Sequence, residues 1–156
     1  MSALEDKFRL LIVDGRAHPE ISDALLAGAA AAIRAAGADF DVVATPGALE
    51  VPAAIALAEE GGHRPAGVRY DGYVALGCVV RGGTFEFEVI ANQAVRGLMD
   101  LAIGRRLAIG SCVLTAESEL QALAQADPAK EDRGGGAARA CLAMIALRRR
   151  LLGQSR

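Results

Sequence analysis

The sequence predicts a three-layer α/β/α sandwich around a four-stranded parallel sheet, and three observations carry the prediction. Apolar runs of strand length, FRLLIV at 8–13 and YVALGCVV at 73–80, lack polar alternation and so read as strands buried on both faces. Between such runs lie longer stretches with apolar residues at helical spacing, the first of them stopped by Gly37. Strand and helix alternate along the chain, and each crossover is long enough to hold a helix, which makes the strands parallel with helices on both faces.

Residues 8–13 form the first strand and end at Asp14-Gly15-Arg16, read as a turn. From 21 to 36, Ile21, Leu25, Ala29, Ile33 and Ala36 repeat at helical spacing. A second strand spans 40–44 and is closed by Thr45-Pro46-Gly47. The Ala-rich segment 48–60 reads as a helix, with Pro52 tolerated in its first turns. Residues 61–71 form a Gly/Pro loop before the third strand at 73–80. Arg81-Gly82-Gly83-Thr84 then opens a helix carrying Phe87, Ile90, Ala94, Leu98 and Leu101 on one face. A fourth strand is expected at 107–114. Thr115 begins a capping signature, and Glu117 to Glu119 lead into a short helix ending near Gln125. Asp127-Pro128 breaks that helix, and 134–152 form a last one whose Arg148, Arg149 and Arg150 match its dipole at a solvated end.

The totals bound the function. At 156 residues the chain is one domain, 1–156, and 53% hydrophobic with 23% charged residues describes a folded globular protein. No apolar stretch reaches the length of a membrane span. Glu5 and Asp6 precede the first apolar run, which is not a signal-peptide pattern, so a cytoplasmic location is expected. A formal net charge of −2, no Trp, two Tyr and four Phe offer little to nucleic acid. Cys78, Cys112 and Cys141 sit apart within apolar runs and read as buried thiols. His18 and His63 are too few and too separated for a metal site, and His63 reads as a solvated loop residue.

In a parallel sheet of this kind the ligand sits beyond the carboxyl ends of the strands, where strand order reverses. Four segments converge there: 14–19, 45–50, 78–84 and 112–117. Gly82-Gly83, between a buried strand and a helix start, exposes backbone N–H groups where the macrodipole favours an anion. The first strand is followed by DGRAHPE and not by GxGxxG, which removes a dinucleotide site. A phosphorylation receiver would need an acidic cluster at this turn, and only Asp14 is present. No GxSxG elbow and no Cys with a paired His supplies an acyl-enzyme nucleophile.

Four segments resemble the lumazine synthase family in order and spacing: TPGALEVP at 45–52, LGCVVRGGTFEFEVIANQAVRGLMDL at 76–101, LTAESELQA at 114–122 and DRGGGAARA at 132–140. The resemblance runs from about Phe8 to Leu147 and implies a flavodoxin-like fold. It also implies a function in riboflavin biosynthesis, the condensation of 5-amino-6-ribitylamino-uracil with 3,4-dihydroxy-2-butanone 4-phosphate to 6,7-dimethyl-8-ribityllumazine. No cofactor and no metal is implied. Family members form pentamers with sites between neighbouring subunits, and some build decamers or 60-subunit shells.

Carried onto this chain, the resemblance implies that Ala48, Leu49 and Glu50 bind the ribityl and uracil parts and that Cys78, Val79 and Val80 offer backbone groups to the pyrimidine. Ser111 joins the substrate-binding positions. Gly83 and Thr84 cradle the phosphate, with Arg81, Lys130 or Arg133 as its cation, and Gln125 and Arg133 act on a neighbour's pocket. Three positions depart from the family pattern. Ala17 stands where an aromatic ring stacks on the heterocycle, Glu86 where a His transfers protons, and Gln125 where an Arg binds phosphate. Glu86 is then the catalytic candidate, with His18 beside Ala17 as a ring or relay. The alternative implied by the departures is a weakened or inactive paralogue that binds a flavin or pyrimidine or forms a shell.

Overall fold

The computed structural model describes residues 7–153, so Glu5 and Asp6 lie outside the described residues. In chain order the elements are β1 (Arg9–Gly15), α1 (Pro19–Ala35), β2 (Asp39–Thr45), a 3-10 turn (Ala48–Glu50), α2 (Val51–Gly62), β3 (Gly72–Val80), α3 (Glu86–Arg105), β4 (Ile109–Ala116), α4 (Glu119–Ala126) and α5 (Arg133–Leu152). The strands form one parallel sheet in the order β2-β1-β3-β4, the α/β architecture expected. Strand order reverses between β1 and β3, and their carboxyl ends fall together: Asp14 pairs with Leu76.

Alternation along the central strands builds two cores. Leu10 and Ile12 of β1 and Val74, Leu76 and Cys78 of β3 pack under α1, α4 and α5, with Ile21, Leu25, Ile33, Ala122 and Cys141. Leu11, Val13, Tyr73 and Ala75 point the other way, onto Val51 and Ile55 of α2 and Leu98 of α3. The outer strands are barer, with Val42 and Val43 of β2 exposed. Among the described residues no helix is long and apolar enough to cross a membrane.

Several local expectations are corrected. Asp14-Gly15 is strand and not turn: β1 stays paired through Gly15↔Thr45. The turn is displaced to Arg16–His18. The helix expected from Ala48 begins as a 3-10 turn, with Pro52 near the start of α2, and α2 runs on through Gly62 into the expected loop. β4 starts two residues late, because Arg106 caps α3 in the left-handed conformation (φ 54°) and redirects the chain. The cap of α4 is Ser118, whose hydroxyl accepts from the Gln121 N–H at 3.2 Å, and not Thr115. Gln121 reaches back to the Glu117 N–H at 2.6 Å. The basic end of α5 is tied down: Arg149 donates to Asp71 at 3.3 Å and stacks over Phe8, and Arg148 donates to the Arg106 carbonyl at 2.9 Å.

Helix α5 lies close against its neighbours because glycines meet them. A Cβ on Gly134 would strike the Leu25 carbonyl of α1, and one on Gly110 the Ala137 carbonyl of α5, both impossibly close. Gly136, two residues along, faces open space. Gly134→Ala is expected to cost about 3 kcal/mol as overpacking against backbone, whereas Gly136→Ala gains up to about 1 kcal/mol of helix propensity. Urea unfolding of the two variants checks this, and equal effects would refute the packing account.

Candidate active site

At the switch point the loops enclose a cavity of about 360 Å³. Ala17 and His18 line it from the loop after β1, Gly47 to Glu50 from the 3-10 turn, and Cys78, Val79 and Val80 from the end of β3. Gly82, Thr84, Glu86, Phe87 and Ile90 close it from the start of α3. The two loops on one side are joined by the Arg16 N–H donating to the Thr45 carbonyl at 3.0 Å, and Thr45 Oγ1 donates to the Gly47 carbonyl at 2.9 Å. On the other side Thr84 Oγ1 accepts from the Glu86 N–H at 3.3 Å, which sets the first turn of α3. Glu86 is therefore at the positive end of a 20-residue helix.

Not every residue anticipated for the site reaches this cavity. Arg81 is turned aside: its Nε donates to Glu117 at 3.0 Å, its guanidinium lies 4.7 Å over the Phe87 ring, and Glu88 is 3.9 Å away. Gly83 adjoins the cavity in sequence without lining it. Gln125 and Arg133 meet each other at 3.4 Å across the α4–α5 junction, also outside it. Lys130 lies in the connector between the same helices. Ser111 is exposed in mid-β4, away from the strand ends. The acidic and basic side chains lining the cavity are thus His18, Glu50 and Glu86, beside the Cys78 thiol, and among the described residues no Lys or Arg lines it. Phe87 and Ile90 were readable only as a core-facing helical stripe, yet both line the cavity. Glu119 was readable only as part of a helix start, yet its carboxylate lies 3.5 Å from His18 Nδ1.

Cys78 lines the cavity but is 4% exposed, and burial above all, then Cys112 and Glu119, pushes its thiol up to about 12. Burial likewise lifts Cys112 to about 11 and Cys141 to about 12. These thiols stay protonated at neutral pH, which removes them as nucleophiles. Among the described residues, no group of three His, Cys, Asp or Glu gathers as metal ligands would.

A larger cavity, about 620 Å³, opens at the opposite, amino-terminal end of the sheet. Its polar walls are mostly satisfied internally. Tyr73 donates to Glu59 at 2.7 Å, Arg149 to Asp71, and His63 Nε2 sits 3.2 Å from Glu59, so His63 is paired and not merely solvated. Burial, reinforced by Glu59, lifts the Tyr73 phenol far above its ordinary range. The smaller cavity is the candidate site because it alone gathers the strand-end loops.

The sheet order and the loop-built cavity at its switch point define a flavodoxin-like α/β protein. The chain belongs to the 6,7-dimethyl-8-ribityllumazine synthase family, whose model matches residues 7–149. A Bartonella tribocorum protein named 6,7-dimethyl-8-ribityllumazine synthase is 50% identical over 96% of this chain and 96% of its own length. Rhizobium meliloti 6,7-dimethyl-8-ribityllumazine synthase 1 is 51% identical over 91% and 92% of the two chains, and the Agrobacterium fabrum synthase 49% identical over 94% and 99%.

Behind the first loop, Asp14 is 1% exposed; one carboxylate oxygen accepts from Arg16 at 2.9 Å and the other has no partner. Burial raises its pKa above 3.8, with Arg16 opposing. A folded-state pKa above the unfolded one means that this group's contribution to stability is full below pH 3.8 and is lost as pH rises through the folded value. Asp14→Asn keeps an acceptor for Arg16 without that loss. The stability of Asp14→Asn relative to the unaltered protein should therefore rise between about pH 4 and about pH 7. A gap that stays constant in urea unfolding across this range would contradict the assignment.

Proposed function

We propose that this protein is an active lumazine synthase of riboflavin biosynthesis, joining 5-amino-6-ribitylamino-uracil and 3,4-dihydroxy-2-butanone 4-phosphate to 6,7-dimethyl-8-ribityllumazine. The observation that carries the reading is the meeting of the PGALE turn, the end of β3 and the Gly82-Gly83-Thr84 loop around one cavity. The chain is also about half identical to relatives that bear the synthase name. That identity spans nearly their whole length, which favours the synthase over a shell-forming or flavin-binding paralogue.

In this reading Ala48, Leu49 and Glu50 hold the ribityl and uracil groups, with Glu50 accepting hydroxyl hydrogen bonds. Backbone groups of Cys78, Val79 and Val80 meet the pyrimidine edge. The amides of Gly82 and Gly83 and the Thr84 hydroxyl receive the phosphate at the start of α3. The reaction joins two substrates and moves protons without redox change, so holding them together supplies much of the rate. Glu86 carries protons between them. Neither a cofactor nor a metal takes part.

The phosphate lacks a cation in the cavity of a single chain, and Arg81 or a neighbour's Arg133 supplies it, with Gln125 as a neutral donor. The protein then works as a homopentamer, and pentamers can associate further into decamers or 60-subunit shells. Phe85 just before α3, Val89, Met99 and Ile103 of α3 and Val42 and Val43 of β2, exposed in the lone chain, support such burial between copies. One domain in the cytoplasm carries the whole activity.

The purified protein mixed with both substrates should form lumazine, followed by its absorbance, faster than a protein-free control. Glu86→Gln should lower kcat by about a hundredfold or more, and Glu86→His should keep or raise it. A rate equal to the control would sink the reading. Separately, a solution mass of five times the 16.1 kDa chain, or a multiple of that, is expected, and a monomer would remove the neighbour's Arg133 from the site.

A further inference from the structure

His18 and Glu119 come from different loops and meet at the edge of the cavity. His18 precedes α1, its backbone extended (φ −129°, ψ 93°), and its side chain is about three-quarters covered. Glu119 is the first residue of α4, held there by the Ser118 cap and the Gln121 amide returning to the Glu117 N–H. Its Oε1 lies 3.5 Å from His18 Nδ1. Glu119 does not itself line the cavity, but it adjoins the site through His18, which does.

The contact is an electrostatic one and longer than a good hydrogen bond; a carboxylate that close repels the lone pair of the nitrogen facing it and so favours the tautomer with the proton on that nitrogen. We infer that Glu119 is a positioning residue for the synthase reaction, fixing the neutral His18 ring with its proton on Nδ1 and leaving the Nε2 lone pair free for the bound substrates. This rests on the reading of the cavity as the synthase site and adds Glu119 and the tautomer to it. Forming the imine takes two hydrogens from the amine nitrogen and releases the carbonyl oxygen as water. Nε2 accepts one of those protons and returns it to the departing oxygen, so the ring ends as it began. His18 and Glu86 then flank the substrates from the β1 loop and from α3. Ala17, with no ring of its own beside His18, leaves room for the imidazole to reach them.

The chain contains two histidines, and the structure orients them oppositely: His63 presents Nε2 to Glu59 at 3.2 Å. ¹⁵N NMR of histidine-labelled protein above the imidazole titration should show one ring protonated on Nδ1 and one on Nε2. In Glu119→Ala the Nδ1-protonated ring should revert to the Nε2–H form that free imidazole favours, while the other is unchanged. Glu119→Ala should also lower kcat about tenfold with KM nearly constant, and adding it to His18→Asn should cost nothing further.

Two Nε2-protonated rings in the unaltered protein, or a kcat indifferent to Glu119→Ala, would overturn the inference. Full additivity of the two substitutions would overturn it as well. Absence of lumazine formation by the unaltered protein would instead sink the synthase reading. The tautomers are read without substrates, so the two failures are distinguishable.

Discussion

The site depends on how closely backbone approaches backbone at the carboxyl ends of β1 and β3. A Cβ on Gly15 would lie 2.8 Å from the Gly47 carbonyl, and one on Gly77 would lie 2.9 Å from the Ala48 Cβ. With both absent, the 3-10 turn after β2 settles onto the ends of the two central strands, and Ala48 is 3% exposed there. Leu49 and Glu50 are thereby held at the cavity. The Arg16 N–H to Thr45 carbonyl bond continues the β1–β2 ladder one step past the sheet and fixes the first loop against the second. Side-chain chemistry enters only after this frame is in place. This frame is set by backbone packing, so side-chain changes at Ala17, Glu86 and Gln125 leave it in place.

Charge separates what the frame supplies from what it does not. The cavity carries Glu50 and Glu86 and only an imidazole to set against them. The nearby guanidinium of Arg81 is already taken by Glu117, Glu88 and the Phe87 ring. A charge-assisted hydrogen bond is worth about 1.5 to 3 kcal/mol, so moving Arg81 onto a phosphate exchanges like for like and gains little. The glycine amides and the start of α3 remain as the anion-binding groups intrinsic to the chain. In the proposed pentamer a neighbour's Arg133 adds full charge, and its present partner Gln125, a neutral amide at 3.4 Å, gives it up at small cost.

The sheet was legible because the unbroken apolar runs at 8–13 and 73–80 are of strand length, are bounded by turn signals and alternate with segments of helical period. Boundaries were less so. Asp14 reads as the polar end of a strand, yet it is buried and β1 continues past it, because β2, 30 residues on, stays paired through Gly15↔Thr45, while the neighbouring Arg16 serves the buried carboxylate. The ends of α5 and α3 were likewise opaque. Whether Arg148 and Arg149 face water or bind Arg106 and Asp71 depends on contacts 42 and 78 residues away. At the site, the family resemblance pointed to Ala48 to Glu50, Cys78 to Val80, Thr84 and Glu86, all of which line the cavity. Glu119 carried no such signal: beside Ser118 it is an ordinary first-turn acid, and its meeting with His18 spans a hundred residues of chain.

Glu86 and His18 differ in what positions them, and that difference bears on the work each can do. Glu86 is fixed through its own backbone, by the Thr84 hydroxyl at its N–H and by the length of α3 behind it, while its carboxylate has no partner among the described side chains. A group held that way keeps rotamer freedom at its tip, which suits the proton-carrying role proposed for it. His18 is approached at the ring by a carboxylate on a different helix, 3.5 Å from Nδ1, which favours one ring orientation. In the proposed site mobility thus sits on the acid and orientation on the imidazole. Replacing that histidine by a carboxylate on α3 removes a ring but leaves α3 and its Thr84 turn as they were. The imidazole of His18 stands across the cavity from it, beside Ala17.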